Sequence, residues 1–140
     1  MTVSIMLVDD SPSSLTILKL LLSKAGIGNI KDYTSPKKAL ACIQQGNIPS
    51  LIVTDFKMPE MNGIQFLEVV SALYPELPAV IVTGDSTGIR SESGKFTVIE
   101  KGCSDFFKQL IELIKTYTGD FVEKSPRIEE TKRALLRKNN

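Results

Sequence analysis

The chain contains no histidine and no tryptophan, and only two of its 140 residues are cysteines. Without histidine, catalysis by an imidazole and metal binding through histidine nitrogens are excluded. The two cysteines, Cys42 and Cys103, are far apart and fit neither a zinc-binding spacing nor a disulfide framework. We therefore expect two reduced thiols, the usual state of cysteine in a cytoplasmic protein.

A strong net charge and long apolar runs are also absent. Seventeen basic and sixteen acidic residues leave a net charge of +1, which does not favour nucleic acid or a membrane surface as a partner. No apolar run approaches the ~18 residues of a membrane span, and no basic region precedes the first apolar run. These absences predict a cytoplasmic protein without a membrane segment and without direct nucleic-acid binding.

Short apolar runs alternate with segments of helical periodicity between residues 3 and 118. Strands are predicted at residues 3–8, 29–33, 51–55, 79–83 and 96–100. Helices are predicted to start at Pro12, Pro36 and Gly63, and after Ser104 or Asp105. This alternation predicts an α/β fold of the flavodoxin-like, doubly wound kind, with five parallel strands in the order 2-1-3-4-5 and helices on both faces.

Two segments depart from the alternation. Residues 84–95 contain three glycines, four Ser/Thr residues and one aliphatic residue, Ile89, so the fourth helix is predicted to be short or irregular. Residues 119–140 contain four acids, six bases and few apolar residues. They are expected to form a charged C-terminal tail or linker after a domain at residues 1–118, and a helix starting at Ser125-Pro126 is left open.

Chemically active side chains stand where the predicted strands end. These residues are Asp9 and Asp10 after the first strand, Asp55 at the end of the third, Thr83 at the end of the fourth and Lys101 after the fifth. Each alone has an ordinary explanation, such as a helix cap, a turn or a surface lysine. Because the carboxyl ends of parallel strands meet at one edge, where α/β sheets bind ligands, their conjunction predicts a site.

Three neighbouring carboxylates repel one another and call for a cation. At ~4 Å each like-charged pair costs roughly 1 kcal/mol in water, and more in a partly buried site. Oxygen ligands without histidine or cysteine favour Mg²⁺, or alternatively Mn²⁺. A metal beside a nucleophilic aspartate, with a hydroxyl and an ammonium group nearby, suits acceptance of a phosphoryl group.

These residues, together with the block Asp55-Phe-Lys-Met-Pro-Glu-Met-Asn-Gly63, resemble the receiver (CheY-like) domain of two-component response regulators. The resemblance covers residues 3 to about 118. It implies that Asp55 accepts a phosphoryl group from a phosphohistidine on a sensor histidine kinase or phosphotransfer protein. It further implies the remaining roles: Mg²⁺ held by Asp9, Asp10, Asp55 and the backbone carbonyl of Lys57, a switch hydroxyl on Thr83, and a phosphate-pairing ammonium on Lys101.

The implied function is a phosphorylation-controlled signalling switch that is no classical enzyme and acts through a downstream protein target; a homodimer is left open.

The family usually carries proline after its lysine and an aromatic residue three positions before it, whereas this chain has Gly102 and Val98. These departures leave open a docking module that acts without phosphorylation. A haloacid-dehalogenase-type phosphatase would need a second aspartate at position 57, where lysine stands.

The segment after Thr83 is predicted to move on phosphorylation, because few buried contacts would hold residues 84–95. Lys57 and Asp85 each lie two residues beyond a site residue. We expect these two side chains to form an ion pair over the site.

Overall fold

A computed structural model of the chain describes residues 3–84, 96–102 and 104–118. Its strands are β1 (Ile5–Val8), β2 (Ile30–Tyr33), β3 (Leu51–Asp55), β4 (Ala79–Thr83) and β5 (Thr97–Glu100). The helices described are α1 (Pro12–Lys24), α2 (Pro36–Gln44), α3 (Gly63–Leu73) and α4 (Phe106–Thr118). The strands pair in parallel in the order β2-β1-β3-β4-β5, which confirms the predicted topology.

The helices start where the sequence supplies capping residues. Ser11 and Ser35 each precede a proline, and their side-chain oxygens accept hydrogen bonds from the backbone three residues on. Two of the predicted helix ends carry a glycine with positive φ, 98° at Gly26 and 96° at Gly46. A left-handed residue at this place ends a helix, and glycine adopts that conformation without a steric penalty.

The core lies in two layers, one on each face of the sheet. Alternate strand residues, including Leu7, Val53 and Val82, pack with the apolar faces of α1 and α4. The strand residues between them, such as Ile52 and Ile81, pack on the opposite face with α2 and α3. Helices on both faces of a parallel sheet confirm the doubly wound architecture.

Several predictions lie outside the described residues. They are the short fourth helix at residues 84–95 beyond Gly84, the partner Asp85 of the expected ion pair, the state of Cys103, and the character of residues 119–140. Within the described residues Cys42 is a partly buried free thiol. None of the helices described has the length and apolar character needed to cross a bilayer.

Candidate functional site

The sheet register brings the predicted site residues to one edge. Val8 pairs with Thr54, Asp55 with Val82, and Thr83 with Glu100, so the carboxyl ends of four neighbouring strands lie side by side. Each of Asp9, Asp10 and Asp55 offers a carboxylate oxygen, and these oxygens lie within 4.8 Å of one another. The Lys101 Nζ lies 3.1 Å from Asp9 Oδ2 and 3.6 Å from Asp55 Oδ1.

Asp9 is buried and joins two distant parts of the chain. Its Oδ1 accepts a hydrogen bond from the Ser11 backbone N–H at 2.9 Å, and its Oδ2 accepts one from Lys101 Nζ. Ser11 caps α1, whereas Lys101 follows β5. Asp9 therefore fixes the start of α1 and the position of the ammonium group at the same time.

Asp55 carries a carboxylate that the surrounding protein makes costly to ionise. Its side chain is only 16% exposed, and its Oδ1 accepts a hydrogen bond from the Phe56 backbone N–H at 2.9 Å. Burial raises the pKa of the Asp55 carboxyl, and the neighbouring Asp9 raises it further. The Lys101 ammonium and the Phe56 N–H act against this rise without reversing it. A cation placed here would favour the charged carboxylate.

The donor set fits a hard divalent cation. Three carboxylates converge, from a buried Asp9, a largely buried Asp55 and an exposed Asp10, and the exposure of Asp10 leaves one side open to water. Mg²⁺ binds through a few carboxylates and keeps several of its waters. The arrangement therefore suits Mg²⁺ better than a metal that requires sulfur or imidazole ligands.

Asp55 leads into a tightly folded loop between β3 and α3. The Gly63 N–H donates to the Phe56 carbonyl at 2.8 Å and closes the loop. A Cβ atom at position 63 would collide with the Asp55 carbonyl oxygen, so only glycine fits. Asn62 and Gln65 then form a reciprocal capping box at the start of α3.

Thr83 and Lys57 are the two remaining residues of the predicted site. Thr83 is buried at the end of β4, and its backbone carbonyl accepts a hydrogen bond from the Lys101 N–H at 2.8 Å. Lys57 is exposed on the loop after Asp55. Their predicted roles, as switch hydroxyl and as carbonyl ligand of the metal, stay predictions.

Gly102 and Val98, the two residues near β5 that differ from the family pattern, affect the site differently. Gly102 does not prevent Lys101 from reaching both Asp9 and Asp55. Val98 is partly buried and packs with the apolar cluster on the α2 and α3 face. An aliphatic side chain therefore occupies the position at which the family resemblance implies an aromatic residue.

The sequence gives no sign of a hydrogen bond between two polar side chains, one of which lies on the loop after Asp55. Ser35 Oγ donates a hydrogen bond to Glu60 Oε1 at 2.8 Å, which joins the start of α2 to the loop after Asp55. The two residues are 25 positions apart, and no local pattern connects them. Only the packing of α2 beside α3 brings them together.

Comparisons with known proteins lead to response regulators. A family model described as the response regulator receiver domain matches residues 5–112. The chain is 27% identical over 136 residues to the C4-dicarboxylate transport transcriptional regulatory protein DctD of Rhizobium meliloti, covering 97% of this chain and 27% of that protein. It is 29% identical over 97 residues to a chemotaxis protein CheY homolog of Campylobacter jejuni, covering 68% of this chain and 69% of that protein.

Among solved structures, a response regulator receiver domain protein (CheY-like) from Methanospirillum hungatei superposes with a TM-score of 0.73 at 27% identity. The superposition covers 89% of this chain and 98% of that one. Several curated relatives are much longer, since the chain spans only 27%, 14% and 19% of the length of three of them.

Proposed function

The chain belongs to the response regulator receiver domain family, and from that membership we propose that it is a switch controlled by phosphorylation of Asp55. Such a domain serves two-component signalling and is not a classical enzyme. The observation that carries the proposal is the meeting of three carboxylates within 4.8 Å, with the Lys101 ammonium 3.6 Å from Asp55. A docking module that works without phosphorylation would have no need of this costly arrangement of charge.

In the proposed transfer, a carboxylate oxygen of Asp55 attacks the phosphorus atom of a phosphohistidine on a sensor histidine kinase or phosphotransfer protein. The new O–P bond forms as the P–N bond breaks, and the electron pair of that bond stays on the donor imidazole. Lys101 places a positive charge beside the phosphoryl oxygens and stabilises the transferred group. The Phe56 N–H holds Asp55 Oδ1, so the carboxylate is already oriented before the donor arrives.

The side chains of Asp9, Asp10 and Asp55, with the backbone carbonyl of Lys57, would hold Mg²⁺ or Mn²⁺. When bound, the cation would neutralise charge on the phosphoryl group during its transfer. Asp9 is positioned for this task by its hydrogen bond from the Ser11 N–H. Asp10 is exposed and would contribute from the solvent side.

The proposed switch follows from the charge that phosphorylation adds. A phosphoryl group brings nearly two negative charges to Asp55, and the Thr83 hydroxyl would bind one of its oxygens. A complete change of population, from 1:99 to 99:1, requires about 5.5 kcal/mol of differential interaction. Charge-assisted hydrogen bonds from Lys101 and Thr83, together with the metal, are of the strength that this requires.

Helix α1 presents a surface suited to the phosphodonor. Ile17 is 60% exposed and Leu20 is 56% exposed. Ile17 also lines a pocket of about 140 Å³ whose walls include Asp9 and Lys101. An apolar partner surface that packs on α1 would therefore bring its phosphohistidine next to the carboxylates.

The remaining parts of the proposal concern the whole protein. We propose a receiver domain at residues 1–118 followed by a charged tail or linker, in a cytoplasmic protein whose output is contact with a downstream protein. Some relatives bear names of transcriptional regulators, but they are several times longer than this chain. A homodimer is one form that this output can take.

The test is a mass measurement. Incubation with acetyl phosphate and Mg²⁺ should add one phosphoryl group to the intact chain, and EDTA should prevent the addition. Asp55→Asn should stay unmodified, and Lys101→Ala should be modified more slowly while it still binds Mg²⁺. A wild-type chain that stays unmodified with both acetyl phosphate and phosphorylated donor proteins would contradict the proposal and favour a docking module.

A further inference from the structure

The loop that follows Asp55 contains a strained turn at Glu60. Glu60 has a φ of 77° and is the one non-glycine residue with positive φ among the residues described. The Met61 N–H donates to the Pro59 carbonyl at 2.9 Å, which makes Glu60 the central residue of a three-residue turn. Turns of this kind with a positive central φ are rare and strained, and such strain persists only where surrounding contacts impose it.

The side chain of the residue at this turn accepts a hydrogen bond from Ser35. Its Oγ donates to Glu60 Oε1 at 2.8 Å and accepts from the Lys38 N–H at 3.3 Å, where it caps α2. The first turn of α2 is anchored in the core, because Pro36 and Ala39 are buried. Ser35 is therefore a fixed point, whereas Glu60 lies on an exposed loop.

The same loop carries groups of the proposed site. Asp55 stands at its start, and the Gly63 N–H bond to the Phe56 carbonyl ties its end back to its beginning. Between these tied ends, Lys57 lies between Asp55 and the strained turn at Glu60, so these two residues bound the path of the backbone through Lys57. A change in that path would move the Lys57 carbonyl relative to the three carboxylates.

We propose that Ser35 and Glu60 are positioning residues for the metal site. Their hydrogen bond holds Glu60 at its positive φ and keeps the Lys57 carbonyl within reach of the cation. The inference rests on the proposed function, because it concerns the Mg²⁺ that the carboxylates would hold. It adds two residues, outside the carboxylate cluster and from different elements, to the groups on which metal affinity depends.

The test compares two substitutions at position 60 in the full chain. Glu60→Gln keeps an oxygen that can accept from Ser35, whereas Glu60→Ala removes it and keeps the strained backbone. We expect Glu60→Ala to weaken Mg²⁺ binding by roughly threefold to tenfold, the equilibrium effect of one hydrogen bond. Glu60→Gln should bind as the wild type does. Isothermal titration calorimetry measures both affinities, and urea unfolding without Mg²⁺ reports separately on stability.

A second pair of variants separates the hydrogen bond from the helix cap. Ser35→Asp keeps an acceptor for the Lys38 N–H but has no proton to donate to Glu60 at neutral pH, so it should weaken Mg²⁺ binding with α2 intact. Ser35→Thr keeps both hydrogen bonds and should rescue the affinity.

The outcomes distinguish this inference from the proposed function. If Glu60→Ala and Ser35→Asp lose stability but bind Mg²⁺ as tightly as the wild type, their role is structural and the inference is overturned. If the wild type binds no Mg²⁺, both the metal site and the inference are overturned. If Glu60→Gln loses affinity as Glu60→Ala does, the carboxylate charge and not the hydrogen bond is responsible, which also overturns the inference.

Discussion

Asp55 is a residue whose surroundings raise the free energy of its charged form. Burial and the nearby Asp9 both raise the pKa of its carboxyl, and the Lys101 ammonium only partly compensates. In the unfolded chain the same group would titrate at its ordinary value of about 3.9. The folded state therefore binds the Asp55 proton more tightly than the unfolded state does.

This difference predicts a pH dependence of stability in metal-free buffer. Because the folded pKa is raised, the contribution of Asp55 is fully present below pH about 4 and is lost as the pH rises through the raised pKa. Asp55→Asn has no charge to bury. Its free energy of unfolding should therefore increase relative to that of the wild type as the pH is raised from about 4 to 7. Urea unfolding in EDTA at a series of pH values measures the difference. Parallel curves for the two proteins would show that burial at position 55 has no energetic consequence.

Gly63 offers a second test at the residue scale. A Cβ atom there would meet the Asp55 carbonyl oxygen and lie 3.2 Å from the Phe56 Cα, and these are backbone atoms that cannot rotate away. We expect Gly63→Ala to lower the free energy of unfolding by between about 1 and 3 kcal/mol, the range for overpacking. Gly28→Ala is the control, since a Cβ at Gly28 meets nothing within 4 Å. Equal effects of the two substitutions in urea unfolding would contradict the steric argument.

The residues that could be predicted from sequence are those that stand beside a strand end. Asp9, Asp55 and Lys101 each follow an apolar run, and parallel pairing then leaves little freedom in where their side chains meet. The bond from Ser35 to Glu60 could not be predicted in this way. It joins a helix cap to a turn 25 residues later, and its existence depends on how two helices pack.

At the scale of elements, α3 is the helix on which the site loop depends. The Asn62 side chain accepts from the Gln65 N–H at 2.9 Å, and the Gln65 side chain accepts from the Asn62 N–H at 2.9 Å. The buried face of α3 includes Phe66, Leu67 and Val70. The capping box thus fixes where the loop ends and the helix begins, while the core contacts hold the helix in place.

Removing the capping side chain of Asn62 should therefore lower the stability of the protein. We expect Asn62→Ala to lower the free energy of unfolding by about 1 kcal/mol, the usual effect of losing a capping side chain. Asn62→Asp keeps an oxygen that can accept from the Gln65 N–H and should remain close to the wild type. Urea denaturation of the three proteins measures the effect. A loss of equal size in Asn62→Asp would mean that the cap is not what the asparagine contributes.

The strand and helix positions agree with the sequence pattern, but some boundaries do not. The first strand was predicted at residues 3–8, and the structure has Ile5–Val8. At this end of the strand, Ser4 and Ser50 each accept a hydrogen bond from the other's backbone N–H through the side-chain oxygen, and the Ser4 carbonyl accepts from the N–H groups of both Ser50 and Leu51. Pairing partners decide where a strand begins, and a single strand's sequence carries no record of them.

At the scale of the whole molecule, two apolar layers enclose the sheet. The layer under α1 and α4 includes Leu15, Leu22, Leu110 and Ile114, all at most 2% exposed. The order of the strands was predictable because right-handed crossovers and burial of both faces leave few alternatives. The segment between β4 and β5 was less predictable, since residues 84–95 have too few apolar positions to indicate a face.

The two layers predict that residues 3–118 form a complete folding unit. A chain ending at Thr118 keeps the buried residues of α4, Leu110 and Ile114. We expect its urea unfolding midpoint and its Mg²⁺ affinity to match those of the full chain. A truncated chain that loses cooperative unfolding would show that residues 119–140 contribute to the core, and the proposed domain boundary would have to move.

The ion pair between Lys101 and Asp9 spans 92 residues of sequence. When only the first three strands have been translated, the nascent chain already contains Asp9, Asp10 and Asp55 but not yet Lys101. Under the proposed function, the order of the strands along the chain therefore delays completion of the acceptor site until Lys101, which follows β5, has been translated.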